Sequence, residues 1–183
     1  MTQPTPIAII GAGKIGETIV DLLLETGDYS ITLIDASAET LHQFKDHPLL
    51  KIVQQDVKDV AMLEKCMAGH FAVLSSTPFF LTKVIAQAAL TVGCHYLDLT
   101  EDVDSTDFVR EIAKTAKSAF IPQCGLAPGF ISIVTQHIAN GFDELDSIRM
   151  CVGALPLYPS NSLNYNLTWS TDGVINEYCE PCI

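Results

Sequence analysis

The residues best spaced for chemistry lie near the N-terminus, where Gly11-Ala12-Gly13-Lys14-Ile15-Gly16 fits G-x-G-x-x-G. A glycine at the first position allows a tight turn, one at the second lets an anion approach the backbone, and one at the third lets a helix pack closely on a strand. Amides around Gly13, Lys14 and Ile15 would then point at a pyrophosphate, whose charge the helix dipole favours. The pattern alone is weak. It gains weight because the apolar run Ile7-Ala8-Ile9-Ile10 precedes it and helical spacing through Ile15, Ile19, Val20 and Leu23 follows. A purely structural glycine turn is the alternative.

Further polar groups follow at spacings suited to a dinucleotide. Asp35 closes a second apolar run, Ile31 to Ile34, about twenty residues past the glycines. A carboxylate there accepts from both hydroxyls of an adenosine ribose and repels a 2′-phosphate. Ala36 and Ser37 follow it with no arginine close by, so NAD is expected in preference to NADP. Asp56 could accept from the adenine amino group with Val57 against the ring, and a solvated turn aspartate fits equally well. Ser76-Thr77-Pro78, after a fourth run, is placed to contact the nicotinamide ribose, with an ordinary turn or helix cap as the alternative.

A second set of groups comes later. In Tyr96-Leu97-Asp98-Leu99-Thr100-Glu101-Asp102, the acidic pair Glu101 and Asp102 could hold a substrate ammonium or take its proton, with Thr100 beside them as a substrate contact. An amine must be neutral before it can lose hydride, so such a base is needed. An acidic helix start explains the same residues without chemistry. Gly129 and Phe130 open a later helix whose amides could face a substrate carboxylate, unless they serve packing alone.

The elements that must position these groups alternate strand and helix. Strands are expected at Ile7–Ile10, Ile31–Ile34, Leu50–Gln54, Phe71–Leu74, His95–Leu97 and Ala119–Gln123. Helices are expected from Ile15 to Gly27 and over Ser37–Phe44, Val60–Met67, Leu81–Val92 and Thr106–Lys117, with one more running to Asn140. Continuously apolar strands with intervening helices imply an α/β fold: a doubly wound parallel Rossmann sheet in the order 3-2-1-4-5-6. After about Asp143 the pattern changes. Ile148–Val152 reads as a strand, and a Pro, Ser and Asn-rich stretch follows. The expected organisation is a nucleotide-binding domain over 1–143 and the beginning of a second, α/β domain over 144–183.

The bulk properties exclude other classes. The chain has 183 residues, 48% hydrophobic, with a formal net charge of -12. An acidic surface repels nucleic acid and anionic membranes, so neither is an expected partner. No basic n-region precedes the first apolar run and no run reaches spanning length, so a cytoplasmic location is expected. Six cysteines are scattered and read as buried free thiols; the lone Cys179-Glu180-Pro181-Cys182 has no second ligand pair, so no metal is expected. No tyrosine is followed four residues later by lysine, which argues against a short-chain reductase or a nucleotide-sugar epimerase.

Several segments resemble the saccharopine dehydrogenase-like family, which includes lysine 6-dehydrogenase and carboxynorspermidine dehydrogenase. They are the glycine motif with Asp35, Ser76-Thr77-Pro78-Phe79, Gly93-Cys94-His95-Tyr96-Leu97-Asp98, Gly125-Leu126-Ala127-Pro128-Gly129, and above all Thr168-Trp169-Ser170-Thr171-Asp172-Gly173-Val174-Ile175-Asn176-Glu177-Tyr178. The resemblance implies a two-domain, dimeric, NAD(P)-dependent oxidoreductase acting on a C–N bond of an amino acid or polyamine derivative. It also implies that Trp169 and Ser170 reach the substrate, that dimer and substrate contacts come mainly from the second domain, and that this N-terminal portion alone lacks turnover. At the position usually acidic in the family's G-L-D-P-G stands Ala127, so any role of a carboxylate there is absent. A non-catalytic NAD-sensing module is the alternative function.

Overall fold

The computed structural model describes residues 3–153, 156–158, 160–162, 164, 166 and 171–179. Six strands form one parallel sheet: β1 (Thr5–Ile10), β2 (Tyr29–Asp35), β3 (Leu50–Gln54), β4 (Ala72–Ser75), β5 (His95–Asp98) and β6 (Phe120–Ile121). Their order is β3-β2-β1-β4-β5-β6, as the alternation of runs and helices requires. The helices are α1 (Lys14–Thr26), α2 (Ala38–Leu41), α3 (Val60–Met67), α4 (Thr82–Val92), α5 (Val103–Ala113), α6 (Phe130–Ala139) and α7 (Thr171–Cys179), with a 3-10 turn at Phe79–Leu81 before α4.

Two apolar cores explain why the strands read as unbroken hydrophobic runs. Side chains alternate across a strand, so Ile7 and Ile9 enter one core with Val20 of α1 and Leu41 of α2. Ala8 and Ile10 enter the other, with Leu63 and Met67 of α3, Ile85 and Ala89 of α4, and Val109 of α5. Each fully buried aliphatic side chain contributes about 1.5–3 kcal/mol relative to exposure. Helix α1 stops where Gly27 takes a left-handed conformation at φ 71° and its amide donates to Leu24 O, a conformation that costs glycine little.

Some boundaries differ from those expected. Helix α2 is short because the Ser37 hydroxyl caps it by accepting from Thr40 N, and a turn at Leu41–Phe44 ends it. Strand β4 begins one residue late, and Phe71 instead lies exposed against the His95 ring at 4.6 Å. Helix α5 begins at Val103 rather than Thr106, because the Asp102 carboxylate accepts from Ser105 N at 2.8 Å and caps it there. Strand β6 keeps only two residues: Pro122 has no amide to donate, and Gln123 turns left-handed at φ 62°. Among the described residues Ile148–Val152 pairs with no strand and forms none. Of the cysteines, Cys94 is buried and its thiol is pushed up to about 11 by that burial, whereas Cys151 and Cys179 are exposed.

Candidate functional site

The carboxyl ends of β1, β2 and β4 open into a cleft of about 330 Å³. Gly11, Gly13, Asp35, Ala36, Asp56, Val57, Ser76, Thr77 and Pro78, all expected from the sequence, line it. It lies where the strand order reverses across β1, the position at which open α/β sheets bind ligands.

The three glycines divide the labour as their spacing implies. Gly11 has φ 102°, and a Cβ there would lie 2.8 Å from Ser76 O. Gly16 packs so tightly that a Cβ would fall 1.9 Å from Gly11 O. Gly13 is different: a Cβ there would meet no atom within 4 Å, so the backbone faces open space at the helix start. The first amide paired inside α1 is that of Glu17, donating to Gly13 O at 2.8 Å. The amides of Lys14, Ile15 and Gly16 precede it and project from the helix N-terminus without intrahelical acceptors. Lys14, Ile15 and Gly16 do not themselves line the cleft; what they offer at its edge is their backbone amides.

Asp35 ties the glycine turn to β2. Its Oδ2 accepts from Ala12 N at 2.7 Å and its Oδ1 from Ser37 N at 2.8 Å. An ionised carboxylate has about four lone-pair sites, so each oxygen keeps capacity for a ribose hydroxyl. Ser37 lies just outside the cleft as the α2 cap, and Thr40, one turn on, lines it instead. Asp56 accepts from Lys58 N at 2.9 Å, which makes it a turn aspartate that also faces the cleft. Ser76 clamps the far side: its hydroxyl donates to Ile10 O at 3.1 Å and Gly11 O at 2.9 Å. The lining also includes Ile10, Ile34, Gln55 and Leu81, which carry no motif; only their places at strand ends or at the start of a helix mark them. An open cradle at Gly13, free helix amides above it and a carboxylate at the β2 end together fit a pyridine dinucleotide.

The second set of groups is more dispersed. Thr100 is buried and its hydroxyl accepts from Asp102 N at 3.1 Å. Asp102 is buried, holds the α5 cap with Oδ2, and meets Asn176 Nδ2 through Oδ1 at 3.4 Å. That contact places Asn176 of α7 at the start of α5. Glu101 beside it is half-buried. Gly129 has φ 126° and sits against Gly125, where a Cβ would lie 2.3 Å from Gly125 O. Phe130 is exposed. Trp169 and Ser170 lie outside the described residues. Among the described residues no group of three or more His, Cys, Asp or Glu could hold a metal ion, and no helix is long and apolar enough to cross a membrane.

Comparison with known proteins agrees with this geometry. Residues 7–122 match the family model of the saccharopine dehydrogenase NADP binding domain. Mouse mitochondrial alpha-aminoadipic semialdehyde synthase is 22% identical over 99% of the chain and 20% of its own length. Saccharomyces cerevisiae saccharopine dehydrogenase (NADP(+), L-glutamate-forming) is 23% identical over 92% of the chain and 39% of its own length. Apo saccharopine dehydrogenase (L-Glu forming) from Saccharomyces cerevisiae superposes with a TM-score of 0.70 at 18% identity, covering 93% of this chain and 40% of that one. The chain thus spans between a fifth and two fifths of the length of these relatives.

Proposed function

The chain belongs to the saccharopine dehydrogenase NADP binding domain family, and from that premise we propose that it serves an oxidoreductase acting on a C–N bond of an amino acid or polyamine derivative. The observation that carries the proposal is the coincidence of the family match with an open Gly13 cradle beneath free helix amides. A bound nicotinamide ring would exchange hydride with the carbon that bears nitrogen. This chain's residues do the rest. The amides of Gly13, Lys14 and Ile15 bind the pyrophosphate, Asp35 binds the adenosine ribose, and Ser76, Thr77 and Pro78 orient the far ribose.

We assign NAD as the preferred cofactor over NADP, although the family takes its description from NADP. The support is Asp35, whose carboxylate stands at the end of β2 with its oxygens held by two amides and, among the described residues, no salt bridge. A 2′-phosphate would meet that charge directly. Glu101 is the group we assign to hold the substrate ammonium or take its proton. Asp102 fixes its position by capping α5, and Thr100, Gly129 and Phe130 stand at the same sheet edge as substrate contacts. The segment from 144 onward belongs to a second domain in this reading, with Trp169 and Ser170 facing the substrate and a homodimer in the complete protein. The free thiols among the described residues suit a reducing compartment such as the cytoplasm.

The test measures reduction of NAD and NADP with a panel of amino acids and polyamines, using the chain and any longer product of its gene. Amine-dependent NADH formation by the longer product supports the proposal. Tight cofactor binding without turnover on any amine would replace it with a sensing role.

A further inference from the structure

Behind Thr77 of the cleft lies a buried polar cluster centred on Asp98 and Tyr96, two residues to which no role has been assigned. It lies under the β4-β5-β6 half of the sheet. A dinucleotide crossing the strand reversal places its adenosine over β1-β2-β3 and its nicotinamide riboside over this second half.

Asp98, at the end of β5, is 1% exposed. Its Oδ1 accepts from Thr100 N at 3.1 Å and from Gln123 N at 3.1 Å, and its backbone carbonyl accepts from Cys124 N at 2.7 Å. One residue therefore pins both loops that leave the sheet edge, after β5 and after β6. Gln123 adopts the left-handed conformation, uncommon for a residue with a side chain, and in doing so presents its amide to Asp98. The other oxygen, Oδ2, is buried, and so is the Tyr96 hydroxyl that lies against it. That hydroxyl faces Asp98, Thr82 and Ser75, and Ser75 Oγ meets Thr77 Oγ1 at 2.9 Å. Thr77 lines the cleft. A buried hydroxyl and a buried carboxylate oxygen facing one another tie β5 to Ser75 of β4 and Thr82 of α4.

We infer that Asp98, acting through Tyr96 and Ser75, is a positioning residue for the nicotinamide half of the cleft: it sets Thr77 on one side and the two loops that follow β5 and β6 on the other in a single arrangement. The inference rests on the pyridine-nucleotide reading. Burial raises the Asp98 carboxyl above the ordinary carboxylate range, and the titratable groups facing it are Tyr96 of its own strand and Cys124 of the loop after β6, neither cationic. The Tyr96 hydroxyl donates toward Asp98, which accounts for both buried atoms.

The test compares two ligands that differ only in the nicotinamide half. Isothermal titration of the chain with NAD+ and with ADP-ribose is carried out for the wild type, Asp98→Ala, Asp98→Asn and Tyr96→Phe. The alanine variant should lose about tenfold or more in NAD+ affinity while ADP-ribose stays within about twofold. Asparagine, which keeps an oxygen for the Thr100 and Gln123 amides, should recover most of that loss. Tyr96→Phe, which removes one hydroxyl from a ring that stays packed, should weaken NAD+ alone and carries the same test should the alanine variant fail to fold. Equal losses for both ligands, or no loss for either, would overturn the inference while leaving the cofactor reading intact. A wild type that binds neither ligand would end both.

Discussion

Helices α4 and α6 are both largely apolar, yet they meet opposite fates. Helix α4 buries Thr82, Ile85, Ala86, Ala88 and Ala89 against the sheet and its neighbours. Helix α6 buries none of its residues, and leaves Phe130, Ile133 and Ile138 more than half exposed. The same contrast divides the chain. Up to β6 many apolar side chains close into two cores, with Leu22, Phe71 and Phe80 among those left outside, whereas Leu145, Ile148, Met150, Val152, Leu157 and Ile175 are exposed farther on. A helix that is hydrophobic all round belongs inside something larger, and an extended apolar surface marks a contact region. The two cores thus draw on the half of the chain up to β6, and among the described residues the region that follows adds no buried apolar side chain.

The sharpest way to break the comparison is to disturb the half that holds the two cores. Gly16→Val would push a side chain into Gly11 O, a backbone atom that has no room to yield. We expect a loss of about 3 kcal/mol or more of stability, or no folded protein, measured by urea unfolding. A normal unfolding midpoint would show the turn to be looser than described.

Next in size is cofactor choice. Asp35→Ser should narrow or reverse the preference for NAD over NADP, an effect of about 1–3 kcal/mol. Titration of the wild type and the variant with both cofactors measures it, and a wild type that favours NADP would remove the charge argument.

A smaller effect concerns pH. Burial raises the Asp98 carboxyl, so the folded state holds that proton more tightly than the unfolded state does. Its contribution to stability is complete below the usual carboxylate pKa and falls as pH rises from there through the raised value. Asp98→Asn cannot ionise. Its Tm should match the wild type in acid and equal or exceed it at neutral pH, with a flatter profile between. A wild type that gains stability over this range relative to the variant would reverse the sign and the claim.

Smallest of all, Ile133→Ser on α6 should change stability by no more than about 0.5 kcal/mol, because Ile133 is 70% exposed, while reducing self-association seen by light scattering. A core-sized loss would show α6 to be packed after all.

The sequence made the sheet legible because parallel strands buried on both faces read as unbroken apolar runs, and glycine spacing located the first turn. The cleft lining was legible where a backbone conformation or a charge demanded a particular residue, as at Gly11, Gly13 and Asp35. It was opaque at Thr40 and Gln55, polar residues no motif marks, and at Ile10, Ile34 and Leu81, where ordinary aliphatics line the cleft. Helix α5 was misplaced because its start is set by the Asp102 cap, a local side-chain bond that competes with the apolar period. Ile148–Val152 has a strand's composition, but a strand exists only when something pairs with it. Asp98 carried no signal in the sequence, because its partners Gln123 and Cys124 are distant in sequence and adjacent only in the fold.

The central claim is that the Gly13 cradle receives the phosphates of a pyridine nucleotide, and Gly13→Val tests it most directly. Gly13 has φ -70°, which valine accepts, and open space at its Cβ, so the variant should fold with an unchanged Tm. Isothermal titration with NAD+ should give saturable one-to-one binding for the wild type and none for the variant, whose side chain fills the cradle. Undiminished binding by the variant, or a wild type that binds neither NAD+ nor NADP+, would contradict the account.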